Sequence, residues 1–327
     1  MTALSVLDLM MIGEGNTFAN TLTDAVALAR HVESHGYKRY WVAEHHDLPG
    51  IASSATTLLI QHLAAATTTI RVGSGGIMLP NHSPLAVAEQ FGTLDALFPG
   101  RIDLGVGRAP GSAGAAIRAL RGDASERDFS QDLVQLTHYL ADDGSEPVRA
   151  IPGNHSVPIW LLGSSPSSAD MAARNGLPYA FASHFAPRFL MQAIEHYRSA
   201  FRPSAVLDKP YIIVGANVFA ARHRAEAEFL ASSHQHWVHN LYSGRPGPLP
   251  LPTEGFMQRL SDRDRYSLAQ AMSCTAVGDI EDVGNWLRQF IATTQADEVI
   301  IDARIHDSDA RNLSYQIAAE SISDLLS

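Results

Sequence analysis

Cysteine is nearly absent: the single Cys274 cannot form an intramolecular disulfide, so a disulfide-stapled miniature fold is excluded and no oxidising compartment is needed. Charge is sparse, at 18% of 327 residues against 46% hydrophobic, which excludes wholesale disorder and leaves enough apolar surface for a large core. Positive charge is outnumbered, with 24 Lys and Arg against 34 Asp and Glu. The resulting net charge of -10 opposes the broad basic surface that nucleic-acid binders use, so no nucleic-acid partner is expected. No apolar run approaches the roughly 18 residues of a membrane span. The start, Met1-Thr2-Ala3-Leu4, lacks basic residues and is soon interrupted by Asp8 and Gly13-Glu14-Gly15, which makes a poor secretory leader; a cytoplasmic protein is expected. No Gly-x-Ser-x-Gly elbow, P-loop or Cys-x-x-Cys occurs, so serine hydrolase, NTPase and dithiol chemistries find no support.

What is present is alternation. Short runs rich in Val, Ile and aromatics are separated by longer stretches of helical periodicity, the pattern of βαβ units on a parallel sheet. Strands are expected at 5–10, 39–45, 70–79, 102–107, 158–163, 179–183, 211–219 and 298–303. Helices are expected at 21–35, 55–66, 84–98, 126–140, 167–175, 187–201, 222–241 and 280–293, with a last one at 310–326. In the third of these, Pro84 suits the first turn, where its missing N–H costs nothing. Leu85, Ala88, Phe91 and Leu94 form its apolar stripe, and Phe98-Pro99-Gly100 stops it. Eight strand–helix units predict a closed (β/α)8 TIM barrel, a single domain over 1–327, rather than an open doubly wound sheet. Between the seventh and eighth strands, Gly244, Pro246, Gly247, Pro248, Pro250 and Pro252 crowd into a connection longer than a βα unit needs. The segment 243–273 is therefore expected to be an insertion, either passive or a lid over the barrel mouth.

In such barrels the chemistry lies at the carboxyl ends of the strands. The second strand ends in Trp41-Val42-Ala43-Glu44-His45-His46-Asp47, which puts a candidate acid–base imidazole there; strand alternation keeps His45 and His46 from facing the same ligand. A structural His–carboxylate pair and a metal site are the rivals, but neither His-x-His nor His-Glu-x-x-His spacing is present at this strand end and no metal is expected. The third strand contains Gly73-Ser74-Gly75-Gly76, costly unless the backbone bulges or something flat approaches it closely.

After the fourth strand, Gly105-Val106-Gly107-Arg108-Ala109-Pro110-Gly111 departs from a dinucleotide fingerprint, because its third glycine is late and Pro110 interrupts. It leaves Arg108 among glycines, as a phosphate ligand or a salt-bridging group. The fifth strand runs into Gly163-Ser164-Ser165-Pro166-Ser167-Ser168, a helix start that offers N–H groups and hydroxyls to an anion, or simply an N-cap. The fourth and fifth strands are neighbours, so Arg108 and these serines are expected to converge. The run His234-Gln235-His236-Trp237-Val238-His239 sets His236 and His239 on one helix face, as surface or interface histidines rather than metal ligands.

At Trp41 to His46, Arg71 to Pro80 and Phe98 to Arg108 the chain resembles the bacterial luciferase-like flavin monooxygenases, and the resemblance runs on to Val277-Gly278-Asp279 and the closing strand. It implies a barrel that binds reduced FMN as co-substrate, usually as a homodimer. His45 matches the family's catalytic histidine, and Gly75-Gly76 the place where many members have a non-proline cis peptide beneath the flavin. Arg108, Ser165 and Ser168 match its phosphate pocket. Ser164 stands in that pocket where the luciferases proper carry an acidic residue, and Gly107 where they carry a reactive cysteine, so neither light emission nor a long-chain aldehyde is implied. The implied activity is a two-component monooxygenase: a separate NAD(P)H-dependent flavin reductase supplies reduced FMN, O2 adds to give a flavin hydroperoxide, and one oxygen atom passes to a small organic substrate. Phe181, His184 and Phe185 are expected to line the substrate site. The alternatives are a deazaflavin-dependent hydride-transfer oxidoreductase, which shares the barrel and the strand bulge, and a non-catalytic flavin-binding protein.

Overall fold

A computed structural model describes residues 2–109, 114–121 and 128–326. Pro110-Gly111 of the glycine run and Glu126, expected near the start of a helix, lie outside the described residues. Seven strands follow one another as parallel neighbours: β1 (Ala3–Asp8), β2 (Arg39–Val42), β3 (Arg71–Met78), β4 (Ile102–Gly107), β5 (Ile159–Gly163), β6 (Tyr179–Phe181) and β7 (Ile212–Ala220). A short β8 (Thr275–Gly278) pairs with the far half of β7, and β9 (Glu298–Asp302) lies between β7 and β1, closing an eight-stranded parallel barrel. This is the expected TIM-barrel architecture. β8 is an addition to it, four residues long and pressed against the helix start that follows.

The helices α1 (Phe18–Ser34), α2 (Thr56–Ala66), α3 (Pro84–Leu97), α4 (Gly114–Arg121), α5 (Phe129–Ala141), α6 (Pro166–Arg174) and α7 (Leu190–Ala200) connect the first seven strands, with α4 and α5 both between β4 and β5. They are followed by α8 (Arg224–Tyr242), α9 (Phe256–Arg259), α10 (Asp262–Ala271), α11 (Ile280–Thr294) and α12 (Ser308–Ser321). Local chemistry sets several starts. Thr17 caps α1, and Asp279 forms a reciprocal capping box with Asp282 at α11, satisfying N–H groups that a helix start leaves free. Among the described residues no helix is long and apolar enough to cross a membrane.

The alternation along each strand sorts the core into two layers. Val6, Val42, Val72, Leu104, Leu161, Phe181, Val214 and Ile301 face the helices, while Leu7, Trp41, Trp160, Ala180, Ile213 and Ile300 fill the barrel. At the amino end of the barrel the filling is ionic. Arg39 donates to Glu298 from Nε (2.7 Å) and Nη2 (3.1 Å) and to Asp103 from Nη1 (2.7 Å), and Trp41 Nε1 also donates to Asp103 (3.1 Å). Burial alone would disfavour the Arg39 charge, but Glu298 and Asp103 outweigh it and raise its pKa. The floor is therefore closed by a fully paired charge network, which leaves the opposite end for a ligand.

The 243–273 segment contributes α9 and α10, neither expected from the sequence. Leu249 exchanges backbone bonds with the chain just beyond β1, donating to Ile12 O (2.8 Å) and accepting from Glu14 N (2.9 Å). Leu249, Phe256 and Leu268 join Trp237 and Val238 in the same apolar cluster as Leu7 and Trp41. The insertion thus packs down onto the carboxyl end of the barrel.

Candidate functional site

Beyond β2 the chain continues through Ala43, which packs with the inner cluster, to His45 two residues later on the same side. The His45 Nδ1 is buried without a hydrogen-bond partner. Burial pushes its pKa down to about 4, helped by the Arg304 and His46 charges and opposed by Glu44 and Asp302, so the ring is neutral at ordinary pH.

Glu44 and His46 turn the other way, as alternation predicts. The buried Glu44 Oε1 lies 2.8 Å from His46 Nε2 and 2.8 Å from His82 Nε2, and Oε2 accepts the Met78 N–H at 3.0 Å. Burial raises the Glu44 carboxyl, but His82, His46 and the Met78 amide together outweigh it and hold it below the usual carboxylate range. The ligand atoms of Glu44, His46 and His82 lie within 4.8 Å of one another, close enough for a cation, although both carboxylate oxygens already have nitrogen partners. His82, in Pro80-Asn81-His82 just past the glycine strand, was not singled out in the sequence. Its 38-residue separation from Glu44 hides the contact.

The glycines of β3 form a tight cradle. The β3–β4 register breaks between Ser74 and Ile77, and the Gly75–Gly76 peptide is cis, the place where the resemblance puts such a bond. A Cβ on Gly75 would stand 2.7 Å from Leu7 Cδ1 and 3.0 Å from Trp41 Cβ, and one on Gly76 would stand 2.6 Å from Gly105 O. Bare backbone is the only solution there. Gly107 is looser: a Cβ there would meet only the Met78 sulfur at 3.3 Å and more distant atoms.

Arg108 and the serine cluster do meet. Arg108, exposed just past β4, donates from Nη1 to Ser167 Oγ at 3.4 Å, across the ends of β4 and β5. Ser165 caps α6 by accepting the Ser168 N–H (3.4 Å), while Ser168 Oγ donates to Ser165 O (2.7 Å) and bonds the Tyr179 hydroxyl (2.8 Å). Ser165 and Ser168 thus stiffen the helix start as its cap, and Ser164, half-buried, precedes it. Ser167, not singled out in the sequence, is the hydroxyl that Arg108 reaches.

The residues expected to line the substrate site separate. Phe181 faces the helix layer, edge-on to Tyr179 at 6.3 Å, and Phe185 is 56% exposed. His184 is buried at the barrel mouth against the β7 backbone; a Cβ on Gly215 would stand 2.4 Å from its Nδ1. Burial takes the His184 pKa down to about 4, with Arg304 and His45 acting in the same direction and Asp302 against them. Around it stand groups the sequence did not single out. Asp302 and Arg304 form a buried ion pair, Arg304 lies 4.8 Å over the Trp237 ring, and His234, part of the supposed surface run, is buried against Phe219 at 5.3 Å. Burial, then Arg304 and His184, hold His234 well below its ordinary pKa. Asp302-Ala303-Arg304 at the end of the last strand was the available signal for part of this group. The path of α8 that brings in His234 had none.

Comparison with known proteins shows the family. The sequence model of the family described as luciferase-like monooxygenase matches residues 3–298. A luciferase-like monooxygenase of Escherichia coli is 48% identical over 330 residues, covering 99% of this chain and 98% of the relative. An N-acetyl-S-alkylcysteine monooxygenase of Bacillus subtilis is 34% identical over 334 residues, 98% of each chain. The crystal structure of apo-MsnO8 superposes with a TM-score of 0.88 at 36% identity, covering 99% of both chains.

Proposed function

The chain belongs to the luciferase-like monooxygenase family, and on that premise we propose that it is a two-component FMN-dependent monooxygenase acting on a small organic substrate. The observation that carries the proposal is the convergence, at neighbouring strand ends from β2 to β5, of His45, the bare Gly75-Gly76 backbone and the Arg108–Ser167 pair. These residues fit the cofactor. Close packing of Gly75 and Gly76 against Leu7, Trp41 and Gly105 holds a rigid backbone at the place where the resemblance sets the flavin ring, and a phosphate suits an exposed guanidinium beside a serine-rich helix start. Reduced FMN, supplied by a separate NAD(P)H-dependent flavin reductase, would provide the electrons by which one atom of O2 enters the substrate and the other leaves as water.

The protein's own part is positioning, exclusion of water and proton handling. Arg108, Ser167 and the amide groups at the start of α6 would hold the phosphate, with Ser164 beside them. Ser165 and Ser168 would keep that helix start rigid. The backbone at Gly75 and Gly76 would support the ring face. His45, neutral and with its Nδ1 unpaired, is the group able to take a proton from the reacting centre and return it. The insertion, with Leu249 and Phe256 against the inner cluster, would act as a lid that keeps water from the site.

The test is oxygen uptake with FMN, NADH and an added flavin reductase, over a substrate set that includes N-acetylated alkyl thioethers of the kind in the Bacillus relative's name. Incorporation of one labelled atom from isotopic O2 into product supports the proposal. In His45→Ala, turnover is expected to fall about a hundredfold or more with FMN affinity preserved. Hydride transfer from a reduced deazaflavin without oxygen uptake would move the chain to the other branch.

A further inference from the structure

The side of the mouth across the strand order from the glycine cradle carries a second concentration of polar atoms. Ile300 of β9, Ile213 of β7 and Ala180 of β6 belong to the inner cluster. Alternation therefore carries Asn217 and Asp302, and Arg304 just past β9, onto the same lumen-facing side. His184 reaches them from the turn after β6, its Nδ1 facing Gly215 and its carbonyl accepting from Asn217. All are buried: Asp302 is 1% exposed, Asn217 0%, His184 7% and Arg304 4%.

Their hydrogen bonding is incomplete in a patterned way. Arg304 approaches a single oxygen of Asp302, with Nε at 2.8 Å and Nη2 at 2.5 Å from Oδ2. The other carboxylate oxygen, Oδ1, has no partner, and neither do Asn217 Oδ1, His184 Nδ1 and His234 Nδ1. Asn217 spends its own N–H groups on His184 O (2.7 Å) and Thr275 Oγ1 (3.2 Å), which leaves its oxygen as a pure acceptor. Buried polar atoms without partners are uncommon and costly, so several in one place mark a site that a ligand completes.

The charges balance as well. Asp302 offsets Arg304, and burial keeps His184 and His234 uncharged, so a net anion or cation would find no counter-charge left over. The group that matches is neutral and carries an acceptor for guanidinium N–H together with a donor for carboxylate or amide oxygen.

We propose that Asp302, Arg304, Asn217 and His184 form a subsite for an amide head group of the organic substrate, and that the Asp302–Arg304 pair sets specificity for it. The proposal rests on the monooxygenase reading for the rest of the site. In it, the substrate carbonyl accepts from Arg304, the amide N–H donates to Asp302 Oδ1 or Asn217 Oδ1, and the apolar remainder extends toward the cradle and His45.

The experiment is calorimetric titration of the full-length protein with hexanamide, hexanoate and N,N-dimethylhexanamide, with intrinsic tryptophan fluorescence as a second readout. Hexanamide is expected to bind about tenfold tighter than either of the others, because hexanoate lacks the donor and brings a charge, and the dimethyl compound lacks the donor alone. In the paired variant Asp302→Asn with Arg304→Met, which leaves no unpaired buried charge to unfold the protein, the preference is expected to shrink to within about twofold. Equal or tighter binding of hexanoate, no binding of any probe, or a preference that survives in the paired variant would overturn the proposal. Reduced FMN titrated anaerobically into the same samples reports separately on the flavin site, so loss of the flavin reading and loss of the amide subsite are told apart.

Discussion

Arg108 and Ser167 are 59 residues apart in the chain and 3.4 Å apart at the barrel mouth, where β4 and β5 run out side by side. Adjacent parallel strands bring together two signals that are weak alone, a guanidinium among glycines and a serine-rich helix start. For the phosphate of FMN this pairing predicts a selective loss. Arg108→Ala should weaken FMN binding about tenfold to a hundredfold, the range of a charge-assisted hydrogen bond, and leave riboflavin binding within about twofold. Flavin fluorescence quenching measures both; equal weakening of the two ligands would remove Arg108 from the phosphate site.

The cradle predicts a contrast between glycines. A Cβ at Gly76 would stand 2.6 Å from a backbone carbonyl, whereas one at Gly107 meets the far end of a methionine side chain at 3.3 Å. Gly76→Ala should therefore cost about 1–3 kcal/mol or more in stability and reduce flavin affinity, while Gly107→Ala should stay within about 1 kcal/mol. Denaturant unfolding of the two variants decides it, and equal stability would mean that the cradle has room.

A pH dependence follows from the buried imidazoles. His184 falls from 6.5 to about 4 in the folded protein, so between those values the unfolded chain binds the extra proton. Stability must then rise with pH across that window and be lost as the solution is acidified through it. The slope is up to about 1.4 kcal/mol per pH unit for each such group. His184→Gln should flatten the stability curve between pH 4 and 6.5 relative to the parent and leave it parallel above pH 7. An unchanged slope would show that His184 is not buried as a neutral ring.

The insertion is expected to respond to ligand. Its exposed start, Ser243 to Pro246, precedes Leu249, which is held to Ile12 and Glu14. Limited proteolysis should cut there more slowly with reduced FMN bound than without it. Equal cutting rates would make the segment a passive cover.

Much of this architecture was legible in the sequence because its signals are local. Most barrel strands are short runs rich in Val, Ile or aromatics between turn residues, and His45, Arg108 and the serines lie just past strand ends, where a barrel places chemistry. β8 escaped because Thr275 to Gly278 is too short to show a period. α10 escaped because only Leu268 of its ten residues is buried, which leaves no apolar stripe to see. The Asp302–Arg304–His184–His234 group was missed for a different reason. Its members come from β9, the end of β6 and α8, and no spacing relates them until the barrel closes. Phe181 illustrates the converse: an aromatic at a strand end looks like pocket lining, yet pairing parity turned it toward the helices.

The most direct test of the central claim is anaerobic titration of the protein with reduced FMN, with a reduced deazaflavin in parallel and Arg108→Ala as control. Saturable micromolar binding of reduced FMN is expected, weakened about tenfold or more in Arg108→Ala, with no comparable binding of the deazaflavin. Absence of FMN binding, or preference for the deazaflavin, would contradict the claim.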